Sequence, residues 1–392
     1  MEKLLPQLRF PEFRGAWEEK SLKEIVKINQ GLQIPISDRL TEQIENSYFY
    51  ITNEFLKANS EKKYFVKNPN QSVLCTKEDI LMTRTGNTGM VVTNVEGVFH
   101  NNFFKVAYPN YIDKTYLYNF LKLDGTQNLI KKLAGTSTIP DLNHSDFYSI
   151  EFQYPSLPEQ TKIASFLTAV DEKLAAVKKK KTLLEQYKKG VMQQIFSQEL
   201  SFKDDSGIDF ADWEEKKLGD FCTFFSGGTP TSTNQKYYTG VIPFIGSGNI
   251  YDSEVYNFIS DEALKSSSAK IVQKGDLLYA LYGANSGELA ISKMNGAINQ
   301  AILCIRNEEC ITYLYYVLLL NKDNIVATYL QGGQGNLSTQ IIKRLNYKFP
   351  SIPEQTKIAN FLAAIDEKIN HCQEQIEKAT IWKKGLLQQL FV

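Results

Sequence analysis

The chain has 392 residues, and its 44 basic and 44 acidic side chains cancel to a formal charge of zero. This length predicts two or three domains, and a hydrophobic content of 43% is too high for a disordered chain. The neutral balance argues against a strongly basic protein that binds nucleic acid alone. Because no apolar run is long enough to cross a membrane and five isolated cysteines suit a reducing compartment, we expect a cytoplasmic protein.

Residues 1–153 are predicted to form a mixed α+β domain. Short β-prone runs lie at 48–51, 90–92 and 103–106, between clusters of Gly, Asn, Ser and Thr, and a stretch of helical spacing follows at 116–123. The polar loop Arg84-Thr85-Gly86-Asn87-Thr88-Gly89 comes after one predicted strand. Such a loop can offer guanidinium, hydroxyl and amide groups to base edges or phosphates, although loops of this composition are more often plain turns.

Residues 154–200 are predicted to form one long helix that begins near Pro158. Apolar residues recur every seven positions in two offset series, which is typical of a coiled-coil seam. The first series is Ile163, Val170, Val177, Leu184 and Val191, and the second is Leu167, Leu174 and Ile195, interrupted by Lys181 and Lys188. The four lysines at 178–181 could face DNA phosphates, but such a run is more often a solvated helix face.

Residues 203–207 form a predicted linker into a second α+β domain at 205–348. Its β-prone runs lie at 241–245 and 301–305, and a stretch of helical spacing lies at 311–320. Its polar candidates are Ser226-Gly227-Gly228-Thr229-Pro230, Tyr282-Gly283-Ala284-Asn285-Ser286-Gly287 and Asn299-Gln300. The loop at 282–287 follows a strand as the loop at 84–89 does, so the two halves of the chain correspond.

Residues 349–392 repeat the helix of residues 154–200. The sequence PSLPEQTKIASFL at 155–167 returns 195 residues later as PSIPEQTKIANFL, and the match runs without a gap to 196 and 391. Tryptophans at 17 and 213, each followed by Glu-Glu-Lys, extend a weaker correspondence to the globular parts. The chain is therefore a tandem duplication.

The two similar helices, each of about 35 residues and roughly 50 Å, could pair with each other or pack separately on their own globular parts. An exposed apolar seam of this length would promote aggregation, which favours pairing. The predicted seam residues are Ile163, Leu167, Val170 and Leu174 in the first helix and Ile358, Leu362, Ile365 and Ile369 in the second.

Common catalytic signatures are absent from the sequence. It contains no P-loop, no complete GxGxxG, no GxSxG and no Asn-Pro-Pro-aromatic tetrapeptide of an amino-methyltransferase. Pro140-Asp141 with Asp171-Glu172-Lys173 superficially resembles a nuclease motif, but residues two apart on a helix do not share a face. Three histidines offer little material for a metal site, so we predict neither catalytic residues nor a bound metal.

The frame P-S-[LI]-P-E-Q-T-K-I-A-x-F-L followed by D-E-K, present twice, resembles the repeated helical regions of type I restriction–modification specificity subunits. The polar loops of the second half resemble their target-recognition domains. The first half departs from that pattern, with Asn29-Gln30-Gly31-Leu32-Gln33 in place of the Gly-Gly-Thr-Pro turn and Asn101-Asn102 near the place of Asn299-Gln300. The resemblance implies two tandem α/β target-recognition domains, each followed by a long helix, with the helices paired as an antiparallel coiled coil of pseudo-two-fold symmetry.

The resemblance also implies a non-catalytic DNA specificity subunit. Each domain would read one half of a bipartite double-stranded target, while the helices fix the spacing and dock the modification subunits, two of which are expected. Methylation of a target base, expected to be adenine, would use S-adenosylmethionine in the modification subunits, and cleavage with ATP and Mg²⁺ would belong to restriction subunits. The expected DNA contacts are Arg84, Thr85, Asn87, Thr88, Gly228, Thr229, Tyr282, Asn285, Ser286, Asn299 and Gln300.

Two other functional classes are weaker alternatives. A nuclease or methyltransferase in its own right would require motifs that the sequence lacks. A coiled-coil scaffold without a DNA role would explain the helices but not two divergent β-rich domains.

Overall fold

The structure, a computed structural model, describes residues 5–57, 60–136, 138–329 and 336–392. The few remaining positions of the two predicted domains, 1–153 and 205–348, lie outside the described residues. The chain divides into two compact units, which we call the first unit (residues 1–177 and 374–392) and the second unit (residues 178–373). Each unit thus contains one globular part and one portion of each long helix.

The globular part of the first unit alternates short strands with short helices. Its strands are β1 (Glu18–Ser21), β2 (Lys27–Gln30), β3 (Ser47–Ile51), β4 (Phe65–Lys67), β5 (Leu74–Cys75), β6 (Ile80–Thr83), β7 (Val91–Val92), β8 (Gly97–Phe99), β9 (Phe103–Ala107) and β10 (Glu151–Tyr154). Its helices are α1 (Leu22–Ile25), α2 (Lys114–Lys122), α3 (Asp124–Leu133) and α4 (His144–Tyr148), followed by the long α5 (Leu157–Phe196). Single turns of 3₁₀ helix lie at Ile36–Asp38, Asn53–Leu56 and Gln71–Val73.

The second unit repeats this order of strands, with one helix in place of α2 and α3 and a helix in place of the 3₁₀ turn at Gln71–Val73. Its strands are β11 (Glu214–Lys217), β12 (Cys222–Ser226), β13 (Ile242–Ile245), β14 (Phe258–Ile259), β15 (Lys270–Val272), β16 (Leu277–Ala280), β17 (Leu289–Ile291), β18 (Gly296–Ile298), β19 (Ile302–Asn307) and β20 (Asn346–Phe349). Its helices are α6 (Leu218–Phe221), α7 (Asp261–Ser266), α8 (Ile311–Tyr329) and α9 (Thr339–Arg344), followed by the long α10 (Ile352–Leu390). Its 3₁₀ turns lie at Gln235–Tyr238 and Ser247–Asn249.

The two units share one sheet topology. In the first unit the strand orders are β2-β9-β6-β7 and β4-β3-β8-β5, with a separate β1-β10 pair. In the second unit they are β12-β19-β16-β17 and β14-β13-β18-β15, with a β11-β20 pair. One pair in each unit is parallel, β3 with β8 and β13 with β18, and the other pairs among these strands are antiparallel. The duplication therefore includes the globular parts, although their sequences have diverged.

Each unit has a main core between one four-stranded sheet and the helices. In the first unit Phe104 of β9 and Tyr116 of α2 are fully buried, and the ring of Tyr116 stacks at 4.8 Å on Phe391, at the end of α10. In the second unit Tyr313 of α8 packs at 5.6 Å on Phe196, the last residue of α5. These aromatic side chains anchor the long helices to the sheets, because each ring buries a large apolar area.

The long helices begin as the sequence predicts. The second residue of each is a proline, Pro158 in α5 and Pro353 in α10, where a missing N–H removes no intrahelical bond. Six of the eight predicted seam residues are buried, and Leu174 and Ile369 are half-buried. In the core of the first unit, Ile163, Leu167 and Val170 of α5 pack together with Leu386 and Leu390 of α10. In the core of the second unit, Ile358, Leu362 and Ile365 of α10 pack together with Val191 and Ile195 of α5.

The two long helices are joined by one ion pair in each unit. Lys383 of α10 bonds to Asp171 of α5 at 2.5 Å in the first unit, and Lys188 of α5 bonds to Asp366 of α10 at 2.6 Å in the second. Both aspartates and both lysines are related by the 195-residue repeat. Each unit combines the beginning of one helix with the end of the other, as an antiparallel pair requires. The predicted fold of two α/β domains, each followed by a long pairing helix, is confirmed.

The same ion pairs account for two of the lysines at seam positions, whereas Lys181, which also interrupts the predicted seam, pairs with Glu185 of its own helix. Lys188 and Lys383 occupy seam positions because each meets an aspartate of the other helix. Asp171 and Asp366 are thereby engaged in helix pairing, and Asp141 of the superficial nuclease motif bonds to Arg84. The carboxylates of that motif thus form separate ion pairs.

The cysteines are free thiols, and Cys310 is the one that is not buried. Among the described residues, no helix is long and apolar enough to cross a membrane.

Candidate nucleic-acid interface

Four loops of the second unit meet at one end of its sheets. Strands β13 and β18 are parallel, so their carboxyl ends lie at the same edge. The loops after β12 and β16 are hydrogen-bonded to the last residue of β18 and to the segment that follows it. The Gly228 N–H donates to the Ile298 carbonyl at 3.2 Å, and the Leu281 N–H donates to the Ala301 carbonyl at 2.8 Å. The Asn299 N–H donates to the Ile245 carbonyl at 3.3 Å. We call these loops, residues 226–230, 246–249, 281–287 and 299–301, the second loop cluster.

Predicted contact residues lie together in the second loop cluster. The Thr229 hydroxyl bonds to the Gln300 side-chain carbonyl at 2.5 Å, and both side chains are exposed. The Asn299 side-chain oxygen accepts the Ala301 N–H at 3.0 Å, which fixes the orientation of its amide. A Cβ on Gly246 would lie 3.8 Å from the amide nitrogen of Asn299, and a Cβ on Gly248 would lie 3.7 Å from that of Asn285. Both asparagine side chains thus lie close to the loop at 246–249. The cluster therefore presents amide and hydroxyl groups of the kind that read base edges.

The first unit builds the same cluster with different side chains. The Leu32 N–H donates to Phe99, the His100 N–H to Ile51 and the Arg84 N–H to Asn102, at 2.9, 2.9 and 2.7 Å. These three bonds are equivalent to the three that join the second loop cluster. We call residues 31–34, 52–56, 84–89 and 100–102 the first loop cluster.

The register of this correspondence differs by one residue from the sequence alignment. His100-Asn101, rather than Asn101-Asn102, is the counterpart of Asn299-Gln300. The His100 Nδ1 accepts the Asn102 N–H at 3.0 Å, as the Asn299 side chain accepts from Ala301. Burial, helped by the nearby charge of Arg39, lowers the pKa of His100 and so favours the neutral ring that can accept this bond.

Gln33 and Asn101 take the place of Thr229 and Gln300. The Asn101 amide donates to the Gln33 side-chain oxygen at 2.7 Å. The sequence prediction did not include Gln33, His100 or Asn101 among the contacts. The signal that could have found them is Gly31, which aligns with Gly227 at an offset of 196 residues.

The two aligned glycines are required by a close approach of two backbones. A Cβ at Gly31 would lie 2.1 Å from the Phe99 carbonyl oxygen, and a Cβ at Gly227 would lie 1.8 Å from that of Ile298. Because a backbone atom cannot move aside as a flexible side chain can, both positions need glycine. The glycine holds the loop that carries Gln33 or Thr229 against the residues after β8 or β18.

The loop at 84–89 directs most of its polar groups toward its own domain. The Arg84 guanidinium makes two bonds to Asp141, at 3.1 and 2.6 Å, and lies 5.5 Å from the Phe104 ring. The Thr85 hydroxyl donates to the same carboxylate, and the Thr88 hydroxyl donates to Arg84 and Pro140 carbonyls. Although burial opposes it, the bonds from Arg84 and Thr85 lower the pKa of Asp141.

The counterpart of Arg84 is Leu281, which is buried and makes the equivalent backbone bond. The Arg84 position is thus one that the fold uses for packing. Asn87, at the tip of the same loop, is exposed.

The loop at 282–287 is held by its own turn. The N–H and the hydroxyl of Ser286 both bond to the Gly283 carbonyl, at 3.1 and 3.0 Å, and Tyr282 is half-buried. Gly228 is buried against Ser268. The roles of all eleven predicted residues in DNA contact stay predictions. No group of three or more His, Cys, Asp or Glu side chains placed to hold a metal occurs in the described parts of the chain.

Comparison with known proteins adds an independent observation. A family model described as the type I restriction modification DNA specificity domain matches residues 15–186 and 211–379. The type I restriction enzyme MjaVIII specificity subunit of Methanocaldococcus jannaschii is 27% identical over 415 aligned residues, which cover 98% of this chain and 93% of the relative.

Two solved structures share the fold. The crystal structure of a type I restriction–modification S subunit from M. genitalium covers 99% of both chains with a TM-score of 0.65 and 17% identity. A chain from a study of complex assembly and conformational transition of the type I R-M system covers 100% of this chain and 99% of that chain, with a TM-score of 0.57 and 15% identity.

Proposed function

The chain belongs to the type I restriction–modification DNA specificity family, and from this premise we propose that it is the subunit that selects the DNA sequence. The first loop cluster reads one half of a bipartite double-stranded target, and the second loop cluster reads the other half. Each cluster presents amide and hydroxyl groups to base edges, where such groups discriminate between bases.

One observation carries this proposal. The two units use the same backbone hydrogen bonds to place a pair of bonded polar side chains, yet the pair is Gln33 with Asn101 in one unit and Thr229 with Gln300 in the other. A common scaffold that carries different polar side chains is what two readers of different sequences require. A symmetric dimer would present identical readers to a palindrome, whereas a duplicated chain can read an asymmetric site.

The long helices serve the same proposal. We infer that α5 and α10 set the distance between the two half-sites and dock two modification subunits. The buried seam residues and the repeated ion pairs support this role, since within each unit they hold the two helices in register.

We further propose that this chain contributes no catalytic residue. S-adenosylmethionine-dependent methylation, with adenine as the target base, would take place in the modification subunits. ATP- and Mg²⁺-dependent translocation and cleavage would take place in restriction subunits. The lack of nucleotide-binding and methyltransferase motifs in the sequence is consistent with this division.

The proposal is tested by sequencing the methylome of cells that carry this chain with its modification subunits. The wild type should yield one bipartite motif. Exchange of residues 205–348 for the corresponding domain of a relative should change one half of that motif and leave the other half and the modified base unchanged. If the methylated sequence stayed the same after the exchange, the specificity assignment would be wrong.

A pair of matched substitutions sharpens the test to single residues. Gln300→Ala should relax one half-site, and Asn101→Ala should relax the other, because the two residues occupy equivalent places in the two loop clusters. Removal of a good base contact costs about 1–3 kcal/mol of discrimination. Effects of both substitutions on the same half-site would contradict the assignment of one reader to each unit.

A further inference from the structure

A buried glutamate recurs at the start of both long helices, but its surroundings differ between the units. Glu159 and Glu354 are 195 residues apart, and their exposed fractions are 1% and 3%. Each lies beside the tryptophan that begins its domain, Trp17 or Trp213. The two sites are therefore equivalent by the duplication.

In the first unit the carboxylate is neutralised by an arginine from the segment before β1. Arg9 donates from Nε and Nη2 to the two oxygens of Glu159, each at 2.7 Å, and the Trp17 indole N–H lies 3.4 Å from the same carboxylate. A bidentate pair of this kind satisfies a buried carboxylate with matched geometry. Phe10, the next residue, packs edge-on against Phe166 at 5.8 Å and fixes the segment on the helix.

In the second unit the matching segment has lost the arginine. Phe202 packs on Phe361 at 5.6 Å as Phe10 packs on Phe166, so Leu200-Ser201-Phe202 is the counterpart of Leu8-Arg9-Phe10. Ser201 thus stands where Arg9 stands. The shorter side chain leaves a cavity of about 140 Å³, lined by Ser201, Asp209, Asp212, Trp213 and Glu354 among others.

The cavity contains a polar atom that has no partner among the described residues. The Glu354 Oε2 is buried and accepts no hydrogen bond, whereas both oxygens of Glu159 are satisfied. A buried carboxylate oxygen without a hydrogen bond is costly, and natural proteins rarely keep one without a reason. Of the two lining aspartates, Asp209 pairs with Lys203 at 3.4 Å. Asp212 adds negative charge to that of Glu354, which favours a cationic occupant.

We propose that the cavity beside Trp213 and Glu354 is a binding site for an alkylguanidinium group supplied in trans. The first unit shows the bound arrangement, in which a planar fork bonds to both carboxylate oxygens beside the indole. An ammonium group is a point charge and cannot make this paired contact, so the site should prefer guanidinium. Two sources share this chemistry, an arginine side chain of a partner subunit and free arginine.

Calorimetric titration of the full chain with propylguanidinium tests the site directly. The wild type should bind one equivalent, and propylammonium should bind at least ten-fold more weakly. Ser201→Arg should abolish binding because the new side chain fills the cavity, and Glu354→Gln should weaken it at least ten-fold. Equal binding of the two cations, or undiminished binding by both variants, would overturn the proposal.

Two further arms identify the source. If a partner supplies the arginine, Ser201→Arg should weaken assembly with the modification subunits at least ten-fold, and propylguanidinium should compete with assembly of the wild type. If free arginine is the ligand, L-arginine should raise the melting temperature of the wild type but not of Ser201→Arg, and assembly should be unchanged. If Ser201→Arg assembles normally and L-arginine does not change the melting temperature of the wild type, both sources and the proposal itself are contradicted.

Discussion

At the scale of single residues, the two units show how a duplicated fold can keep its framework and change its chemistry. His100 and Asn299 both accept a backbone N–H from the residue two positions later, although one is an imidazole and the other an amide. Backbone bonds set the position of each loop, so the exposed side chains are free to differ.

Arg84 is a predicted DNA contact whose side chain is already bonded within its own domain. Its guanidinium already bonds to Asp141, and its counterpart is a buried leucine. If Arg84 reads DNA, Arg84→Leu should weaken methylation at one half-site only, while Asp141→Asn should spare it. If both substitutions have the same effect, Arg84 acts by holding Asp141. If Arg84→Leu leaves methylation unchanged at both half-sites, Arg84 does not read DNA.

Substitution of the two buried glutamates should change the stability of the chain in opposite directions. Glu354→Gln should stabilise the chain, because burial raises the pKa of the Glu354 carboxyl despite a hydrogen bond from Trp213, and its Oε2 accepts no hydrogen bond from the described residues. Glu159→Gln should destabilise it by about 1–3 kcal/mol, because the Arg9 guanidinium loses its carboxylate. Chemical unfolding of both variants at neutral pH measures the two effects.

The pH dependence of the Glu354 effect follows from the sign of its shift. The raised pKa means that the folded state holds the proton more tightly, so wild-type stability falls as pH rises from the ordinary value through the folded one. The advantage of Glu354→Gln should therefore be largest at neutral pH and vanish below the ordinary pKa of about 4.3. An advantage that persisted unchanged to lower pH would contradict this account.

At the scale of elements, each copy of the repeated helix contains both residues of the ion pair that joins it to the other copy. The repeat places an aspartate and a lysine 17 residues apart in each copy, at 171 and 188 and again at 366 and 383. In an antiparallel pair each aspartate meets the lysine of the other copy, so one sequence supplies both halves of the contact. Lys188 and Lys383, which interrupt the apolar heptad pattern, are thus determinants of register.

Leu167→Asp tests the seam. Leu167 is fully buried in the core of the first unit, so the substitution removes a core side chain and buries a charge, at a cost above about 3 kcal/mol. We expect loss of assembly with the modification subunits by gel filtration and a lower unfolding midpoint. Gln186→Asp, at an exposed position of the same helix, is the matched control and should leave both unchanged. An intact complex with Leu167→Asp would argue against a role of the seam in assembly.

At the scale of the whole molecule, zero net charge has a functional meaning. Residues 1–153 carry 18 basic and 18 acidic side chains, and residues 201–349 carry 13 and 16, so neither globular part is basic. Affinity for DNA comes largely from phosphate contacts, whereas specificity comes from base contacts. A subunit that selects the sequence while its partners hold the backbone can be neutral.

The isolated chain should therefore bind DNA weakly. We expect a dissociation constant in the range of nonspecific binding, about 10⁻⁴–10⁻⁶ M at physiological salt, and at least a hundred-fold tightening when the modification subunits are added. Fluorescence anisotropy with one duplex at one salt concentration measures both states. Tight and sequence-specific binding by the chain alone would contradict this division of labour.

Much of the organisation was already determined by the sequence. The long helices, the prolines in their first turns and the apolar seam follow from the identity of residues a few positions apart. The duplication follows from a match between segments that lie 195 residues apart. The predicted strands at 48–51 and 103–106 and the helix at 116–123 also match elements of the structure, since they depend on local periodicity.

Only the tertiary structure decided which residues meet. Gln33 bonds to Asn101 across 68 residues, Arg84 to Asp141 across 57, and Lys188 to Asp366 across 178. The one-residue correction that aligns His100 with Asn299 depends on the parallel pairing of β3 with β8, which no local pattern encodes. Helical periodicity is visible over a few turns, but the partners of a loop are selected by strand order and register, and these arise only when the whole domain packs.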